Sequence, residues 1–380
     1  MGHTQQAQQP EYTLPPRPQA RHLPGHIYTA PEVFEREKRQ IFLKDWLCVG
    51  RVEELEKPGD YLALRVVDEP LVVCRDRAGQ LNAFSNVCAH RGTEIASGSG
   101  NRQSFSCPYH GWTYDLTGKL LNAPYVEDVE GFQPTACRLP AVKLDTWDGY
   151  LFINFDARCE SLASFLGDAP QVYGAYQCEK LRLAAKFSFT LACNWKLMCE
   201  NLVDIYHIAV LHAATFGPHQ PLETYKFRLT EGGYHGRFKG GTLTPDGKSL
   251  FGPMPWLPAE LHSGGYSSHI RPNMAFFPRF DFFSFITLWP VDGPEKSQGL
   301  VYLLFPAEHF AQQDFQEKVA VYEEFLHAVL GEDVSMVQSL QRGFKSQAYR
   351  PGPFSRYEAA VHNMIAYNMK RIGFENGSVD

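Results

Sequence analysis

The chain has 380 residues, of which 44% are hydrophobic and 21% charged, with Lys+Arg 36 against Asp+Glu 42 for a formal net charge of −6. At roughly 150 residues per domain, that length suits two or three domains, each able to bury a core unaided. The balance offers no broad basic field, so nucleic acid is a poor default partner. No apolar run approaches the ~18 residues of a membrane-crossing helix.

The stretch before Gly25 is rich in Gln, Pro and Arg and lacks the apolar segment of a signal peptide. It reads as an extended arm that orders only by docking. Nine cysteines are an odd number with no visible pairing framework, which points to free thiols in a reducing cytoplasm. A helix is expected with Thr29 as N-cap and Pro31 and Glu32 in its first turn, running to about Trp46. From about 48 to 155, short β-rich runs (61–67, 70–74, 81–87, 105–107, 112–114, 150–155) alternate with turn signals such as Pro58-Gly59-Asp60, the mark of a small antiparallel β-domain. The second half reads as mixed α+β. It has helical stretches near 161–182, 194–211 and 311–347, a strand at 186–193, and strands with Gly/Pro loops over 225–305.

Within the β-domain, Cys88-Ala-His90-Arg91-Gly92 precedes Cys107-Pro108-Tyr109-His110-Gly111-Trp112. Each half offers one thiolate and one imidazole from a short loop between strands. Zinc sites usually pair Cys with Cys and His with His along the chain. Pairing each Cys with a His fits a two-iron, two-sulfide cluster, with both Cys on one iron and both His on the other. Neutral imidazoles raise such a cluster's potential above that of an all-Cys one. Structural zinc is the competing reading. Gly92 and Gly111 let the loops pack closely. Arg91 is a solvated charge or an interface residue, and the other seven cysteines read as ordinary buried thiols.

In residues 194–212, Asn201, Asp204 and His207 are three apart and share a face of a regular helix. His212 falls about 140° round from His207, so a wider turn or a helix end must bring the imidazoles together. The alternative is a core helix with incidental histidines. Two His and one carboxylate form a facial triad that leaves positions open for dioxygen and substrate. If Asp204 has another task, Asp314, Glu323, Glu324, Glu332 and Asp333 are the downstream candidates. Residues 274–289 hold seven aromatics in sixteen, either a pocket wall or the core of a sheet. Of the adjacent Phe282 and Phe283 only one can face a pocket. Arg271, Arg279 and Lys226 are carboxylate anchors or, in the more ordinary reading, surface charges.

Together, these segments resemble the catalytic α component of Rieske non-haem iron oxygenases. That family includes aromatic-ring-hydroxylating dioxygenases, monooxygenases and demethylases. The likeness rests on the two Cys/His loops and on E-N-x-x-D-x-Y-H-x-x-x-x-H from Glu200 to His212, and it spans nearly the whole chain. It implies an α+β fold: a small antiparallel β Rieske [2Fe-2S] domain over 47–157, and a larger helix-grip-like mixed α/β catalytic domain with a central antiparallel sheet over 158–380. An N-terminal arm and helix, 1–46, would pack on the catalytic domain.

The resemblance places Cys88 and Cys107 on one cluster iron and His90 and His110 on the other. It gives His207, His212 and Asp333 to a mononuclear Fe(II), with Glu332 as the neighbour that competes for the third place. Asp204 matches the carboxylate that links the mononuclear iron of one subunit to the cluster of the next. A homotrimer follows (α3 or α3β3), because the two centres of one chain lie too far apart for efficient electron transfer. Asn201 and Tyr206 would stand beside it or line the pocket. Electrons would come from a separate NAD(P)H reductase, with or without a ferredoxin, since no G-x-G-x-x-G follows a strand here.

The implied reaction is O2-dependent hydroxylation of an aromatic or similarly apolar small molecule by a cytoplasmic enzyme with no membrane partner. Quaternary-amine oxidation or demethylation by a Rieske monooxygenase is the alternative. A Rieske electron carrier without oxygenase activity is a third reading. The quaternary-amine branch often carries Glu at the bridging position, so Asp204 favours the aromatic branch.

Overall fold

The computed structural model describes residues 20–373, so residues 1–19 of the expected arm lie outside it. The chain enters through α1 (His26–Thr29) and α2 (Pro31–Glu37), followed by a π turn over Lys38–Phe42. Pro31 opens α2, where its missing N–H has no partner to lose. The N-cap is Ala30 rather than Thr29, whose hydroxyl instead donates to the Gly25 carbonyl at 3.3 Å. The end of the arm docks: His22 N–H donates to the Gly352 carbonyl at 2.9 Å, and its ring pairs with Glu358 at 3.2 Å. Gly25 lies so close to Phe344 that a Cβ would stand 2.2 Å from its carbonyl oxygen.

The β-domain is closed by its own ends. β1 (Leu47–Arg51) pairs antiparallel with β10 (Tyr150–Asn154), which pairs with β9 (Lys143–Trp147). A second sheet holds β2 (Asp60–Val66), β3 (Glu69–Arg75), β4 (Leu81–Ser85) and β5 (Ser99–Asn101). A third holds β6 (Phe105–Ser106), β7 (Thr113–Tyr114) and β8 (Leu120–Asn122). The expected runs are these strands. β1, β5, β8 and β9 lie outside the expected runs; β5 and β9 are edge strands, largely exposed and polar, with no apolar alternation to mark them.

After α3 (Leu162–Leu166) and α4 (Ala169–Tyr173) comes a seven-stranded antiparallel sheet. Its meander runs through β12 (Lys226–Thr230), β13 (Gly233–Phe238), β14 (Gly265–Ile270), β15 (Met274–Pro278), β16 (Phe283–Pro290) and β17 (Ser297–Pro306). The earlier strand β11 (Leu181–Leu191) adds at the β17 edge. β16 and β17 are buried on both faces, and period-two alternation splits their side chains between two cores. Val301, Leu303 and Phe305 join the helices' core, while Tyr302 and Leu304 join the one around α3 and α4. The aromatic run is mainly sheet core: Phe276 and Phe283 stack on one face, and Phe282 packs on Phe305 and Tyr322 on the other.

Four helices complete the second half: α5 (Trp195–Val203), α6 (Ile208–Leu211), α7 (Phe315–Phe344) and α8 (Ala359–Arg371). α5 lies between the sheet and α7 and α8. Asn194 caps it by accepting the Lys196 N–H at 3.0 Å. Lys196 is fully buried and forms an ion pair with Glu37, which also accepts the Trp195 indole N–H at 2.9 Å. Two charges leave water together here, tolerable only because each has its partner. The N-terminal helices are thereby tied to the element that leads into the His segment, Glu200 to His212.

Candidate functional site

The two Cys/His loops are near-copies. Cys88 N–H donates to the Thr93 carbonyl and Gly92 N–H to the Cys88 carbonyl, both at 2.9 Å. In the second loop, Cys107 N–H donates to Trp112 at 2.8 Å and Gly111 N–H to Cys107 at 3.0 Å. Each closes on a glycine in the left-handed region, φ 82° at Gly92 and 73° at Gly111. Both thiols are buried, while His90 is exposed and His110 half-buried, with their Nδ1 atoms 3.2 Å apart. Trp112 stacks on His90, and the Ala89 N–H donates to the Tyr114 hydroxyl at 3.0 Å. Two thiols inside and two imidazoles at the rim form the donor set a [2Fe-2S] cluster of mixed ligation needs. Arg91 is exposed and hydrogen-bonds the Tyr109 hydroxyl at 3.3 Å.

The expected helix over 194–211 is broken. α5 stops at Val203, and Asp204 turns extended at φ −74° and ψ 126°. Its carboxylate accepts the Tyr206 N–H at 2.7 Å, a local bond that competes with the helix. Asn201, Asp204 and His207 therefore do not share one helix face. The break supplies the turn the two histidines required. His207 precedes α6 and His212 follows it, with their Nε2 atoms 3.2 Å apart.

Asp333, in the middle of α7, brings Oδ1 to 3.0 Å from His212 Nε2 and 3.5 Å from His207 Nε2. The ligand atoms of these three residues lie within 4.8 Å of one another. Asp333 is 3% exposed, yet no hydrogen-bond donor satisfies Oδ1. A buried carboxylate oxygen without a donor, facing two imidazole nitrogens, suits a divalent metal. Burial alone would pull the His207 imidazole down, but the Asp204 and Asp333 carboxylates outweigh it and raise it to about 9. Likewise the two imidazoles hold the Asp333 carboxyl below its ordinary range against burial.

Each ring is held from behind. Asp204 Oδ2 lies 3.0 Å from His207 Nδ1, and Glu332 Oε2 lies 2.6 Å from His212 Nδ1. The Thr215 hydroxyl donates to the same Glu332 oxygen at 2.9 Å. Glu332, the competitor for the third place, thus stands behind His212 while Asp333 stands before it. Adjacent helix positions point about 100° apart, so the two carboxylates reach opposite nitrogens of one ring.

A mostly apolar pocket opens beside the three residues, walled by Phe216, Tyr225 and Phe277 with Ile286, Val329 and Leu330. Asn201 lines it, whereas Tyr206 is exposed. Of the paired phenylalanines, neither Phe282 nor Phe283 lines it. Arg279 does, and at 3% exposure it is not the surface charge expected. Arg271 pairs with Glu160 and Glu231 and covers the Phe165 ring. Phe216, Gln220 and Tyr225 were missed because they follow α6 in irregular chain with no periodicity to mark them.

Of the other seven cysteines, five are buried free thiols as expected, while Cys137 and Cys159 are half-buried. Burial pushes the Cys48, Cys74 and Cys193 thiols up to about 12, which makes them poor nucleophiles.

Residues 178–373 match the family model for the ring hydroxylating alpha subunit (catalytic domain), and residues 45–133 match the Rieske [2Fe-2S] domain. The chain belongs to the ring-hydroxylating alpha subunit family. Among its relatives, the carnitine monooxygenase oxygenase subunit of Acinetobacter baumannii is 32% identical over 339 residues, covering 86% of each chain. The chloroplastic choline monooxygenase of Spinacia oleracea is 27% identical over 348 residues, 90% of this chain and 76% of that one. A quaternary ammonium Rieske monooxygenase solved in complex with L-carnitine is 28% identical, with a TM-score of 0.78 over 94% of this chain and 96% of that one.

As a member of the family, the chain is a terminal Rieske oxygenase component. It carries a [2Fe-2S] cluster and a mononuclear iron, and uses O2 with NAD(P)H electrons delivered through partner proteins. The electron-carrier reading falls, because it has no use for the matched catalytic domain. Among the described residues, no helix is long and apolar enough to cross a membrane.

Proposed function

We propose that the chain is a Rieske monooxygenase that oxidises a small quaternary amine. The observation that carries this is the aromatic wall of Phe216, Tyr225 and Phe277 beside His207, His212 and Asp333. Aromatic faces attract quaternary ammonium groups. Similarity to carnitine and choline monooxygenases supports it. Asp204 is one methylene shorter than the Glu frequent in that branch, yet it reaches His207. Hydroxylation of an aromatic ring is the second reading, favoured by Asp204 and by the same walls.

In this reading, residues 47–157 form the cluster domain and 158–380 the catalytic domain, with 1–46 packed on the latter. Cys88, Cys107, His90 and His110 hold the cluster, and His207, His212 and Asp333 hold Fe(II). Iron in such a triad supplies reductive activation of dioxygen, with coordination positions left open. Asp204 and Glu332 accept the Nδ1 protons of the two rings, so both Nε2 lone pairs face the metal position. Asn201 faces the substrate from the end of α5, and the aliphatic walls keep water from it.

The trimer belongs to the same reading. Tyr206, Val210, Met336 and Leu340 are large apolar side chains left exposed, and the last three line a groove that reaches Asp204. The rim of a second copy's cluster loops, where His90 and Tyr109 are exposed, would cover them. Asp204 then joins the two centres. A reductase, with or without a ferredoxin, feeds the cluster in the cytoplasm.

The test is turnover with a surrogate reductase and isotopically labelled dioxygen on carnitine, choline and naphthalene. One labelled oxygen in the product of a quaternary amine is expected. Turnover of naphthalene alone, or two labelled oxygens, would overturn the reading.

A further inference from the structure

Arg279 is 3% exposed and lines the pocket beside His207, His212 and Asp333. It donates to the Tyr266 carbonyl at 3.1 Å and to Gln220 Oε1 at 3.4 Å, and its Nε has no partner. Its guanidinium carbon stands 4.5 Å from the centroid of the Phe238 ring. No carboxylate among the described residues pairs with it. Asp281, two residues on, is committed to the Thr242 hydroxyl at 2.7 Å and the Tyr322 hydroxyl at 2.6 Å. The pocket's own carboxylates, Asp204 and Asp333, are engaged with the histidines.

Asp281 acts on Arg279 only through space and forms no ion pair, and a buried cation without an ion-pair partner is unfavourable unless something else compensates it. Burial draws the Arg279 guanidinium down to about 10, so it stays charged at neutral pH. Its neighbours are arranged around it. Gln220 accepts from Arg279 and donates to the Tyr225 hydroxyl, making one polar corner in an otherwise apolar pocket.

We infer that Arg279 anchors a carboxylate of the substrate. A planar guanidinium with free donors matches the two oxygens of a carboxylate, which would also supply the missing counter-charge. Combined with the function proposed above, on which only the ammonium end rests, the substrate class is a betaine: a quaternary ammonium at one end and a carboxylate at the other. Arg279 would then select for carboxylate-bearing molecules, because a site built to hydrogen-bond a group rejects the analogue that lacks it.

Calorimetric titration of the anaerobic holoenzyme tests this. The probes are γ-butyrobetaine against butyltrimethylammonium, in which a methyl replaces the carboxylate, and benzoate against toluene. γ-Butyrobetaine should bind about tenfold or more tighter than butyltrimethylammonium, the scale of a charge-assisted hydrogen bond. Arg279→Gln should erase that difference. Arg279→Lys, which keeps the charge without the fork, should restore part of it.

If butyltrimethylammonium binds as tightly as γ-butyrobetaine, the anchor is overturned while the quaternary-amine reading stands. If benzoate alone binds, and does so through Arg279, the anchor stands and the quaternary-amine reading falls. If neither carboxylate binds, the anchor is overturned. Should Arg279→Gln fail to fold, the paired ligands on the unaltered protein still decide.

Discussion

The loops proposed to hold the cluster offer their four donors from residues 88–110, whereas the set proposed for the mononuclear iron joins a helix break near His207 to the middle of a helix at Asp333. The first needs only two hydrogen-bonded turns and two glycines to aim its side chains. The second depends on α5, α7 and the N-terminal helices being packed correctly on the sheet. One site is a property of its loops and the other of the whole domain, so they should fail separately.

The largest expected effects test that separation directly. Asp333→Asn should drop turnover by on the order of 10³-fold or more and lower bound iron, with the cluster's visible spectrum unchanged. Cys107→Ser should do the reverse, removing the spectrum while the mononuclear iron stays. If Asp333→Asn keeps its full iron, the assignment of the third ligand is lost.

Next comes the tether. Lys196→Met leaves Glu37 buried and unpaired, a destabilisation of about 3–5 kcal/mol in denaturant unfolding. Glu37→Leu combined with Lys196→Met should recover most of it. Equal losses in the single and double variants would mean that the pair is not what holds α5.

Glu332→Gln should weaken mononuclear metal binding by roughly 10- to 100-fold without moving the cluster's potential. An unchanged metal affinity would take Glu332 out of its place behind His212.

A smaller effect is a slope with pH. Burial raises the Glu200 carboxyl to about 7 from an ordinary 4.5, although Tyr28 donates to it at 3.0 Å. The folded chain keeps a proton that the unfolded chain has released, so stability falls as pH rises between those values and then levels. Glu200→Gln should flatten the melting temperature across that window. A slope that persists in the variant would assign it to another group.

What the sequence made legible follows the same division. Cys88, His90, Cys107 and His110, the ligands proposed for the cluster, stand in one short pattern because the residues of two neighbouring loops are close along the chain. His207 and His212 are visible for the same reason. Asp333 came only through the family likeness, since nothing local separates it from Glu332, Glu324 or Glu323. The break at Asp204 was hidden because Leu-Val-Asp-Ile-Tyr holds no Gly or Pro, and a side chain accepting its own neighbour's N–H ends the helix there. Nothing beside Arg279 in Pro-Arg-Phe-Asp separates a carboxylate anchor from an ordinary surface charge. Only the tertiary fold shows that this side chain is buried.

Gly25 and Phe344 give α7 a further property. Asp333 and Phe344 ride on one helix, eleven residues and roughly 16 Å apart. The arm therefore abuts the far end of the helix that carries Asp333, the third ligand proposed for the iron. A single methyl at Gly25, pressing on the Phe344 carbonyl, should slide or tilt α7 and loosen mononuclear iron by a few-fold. The loss would appear as slower retention of that iron against a chelator, at a position that touches neither metal site.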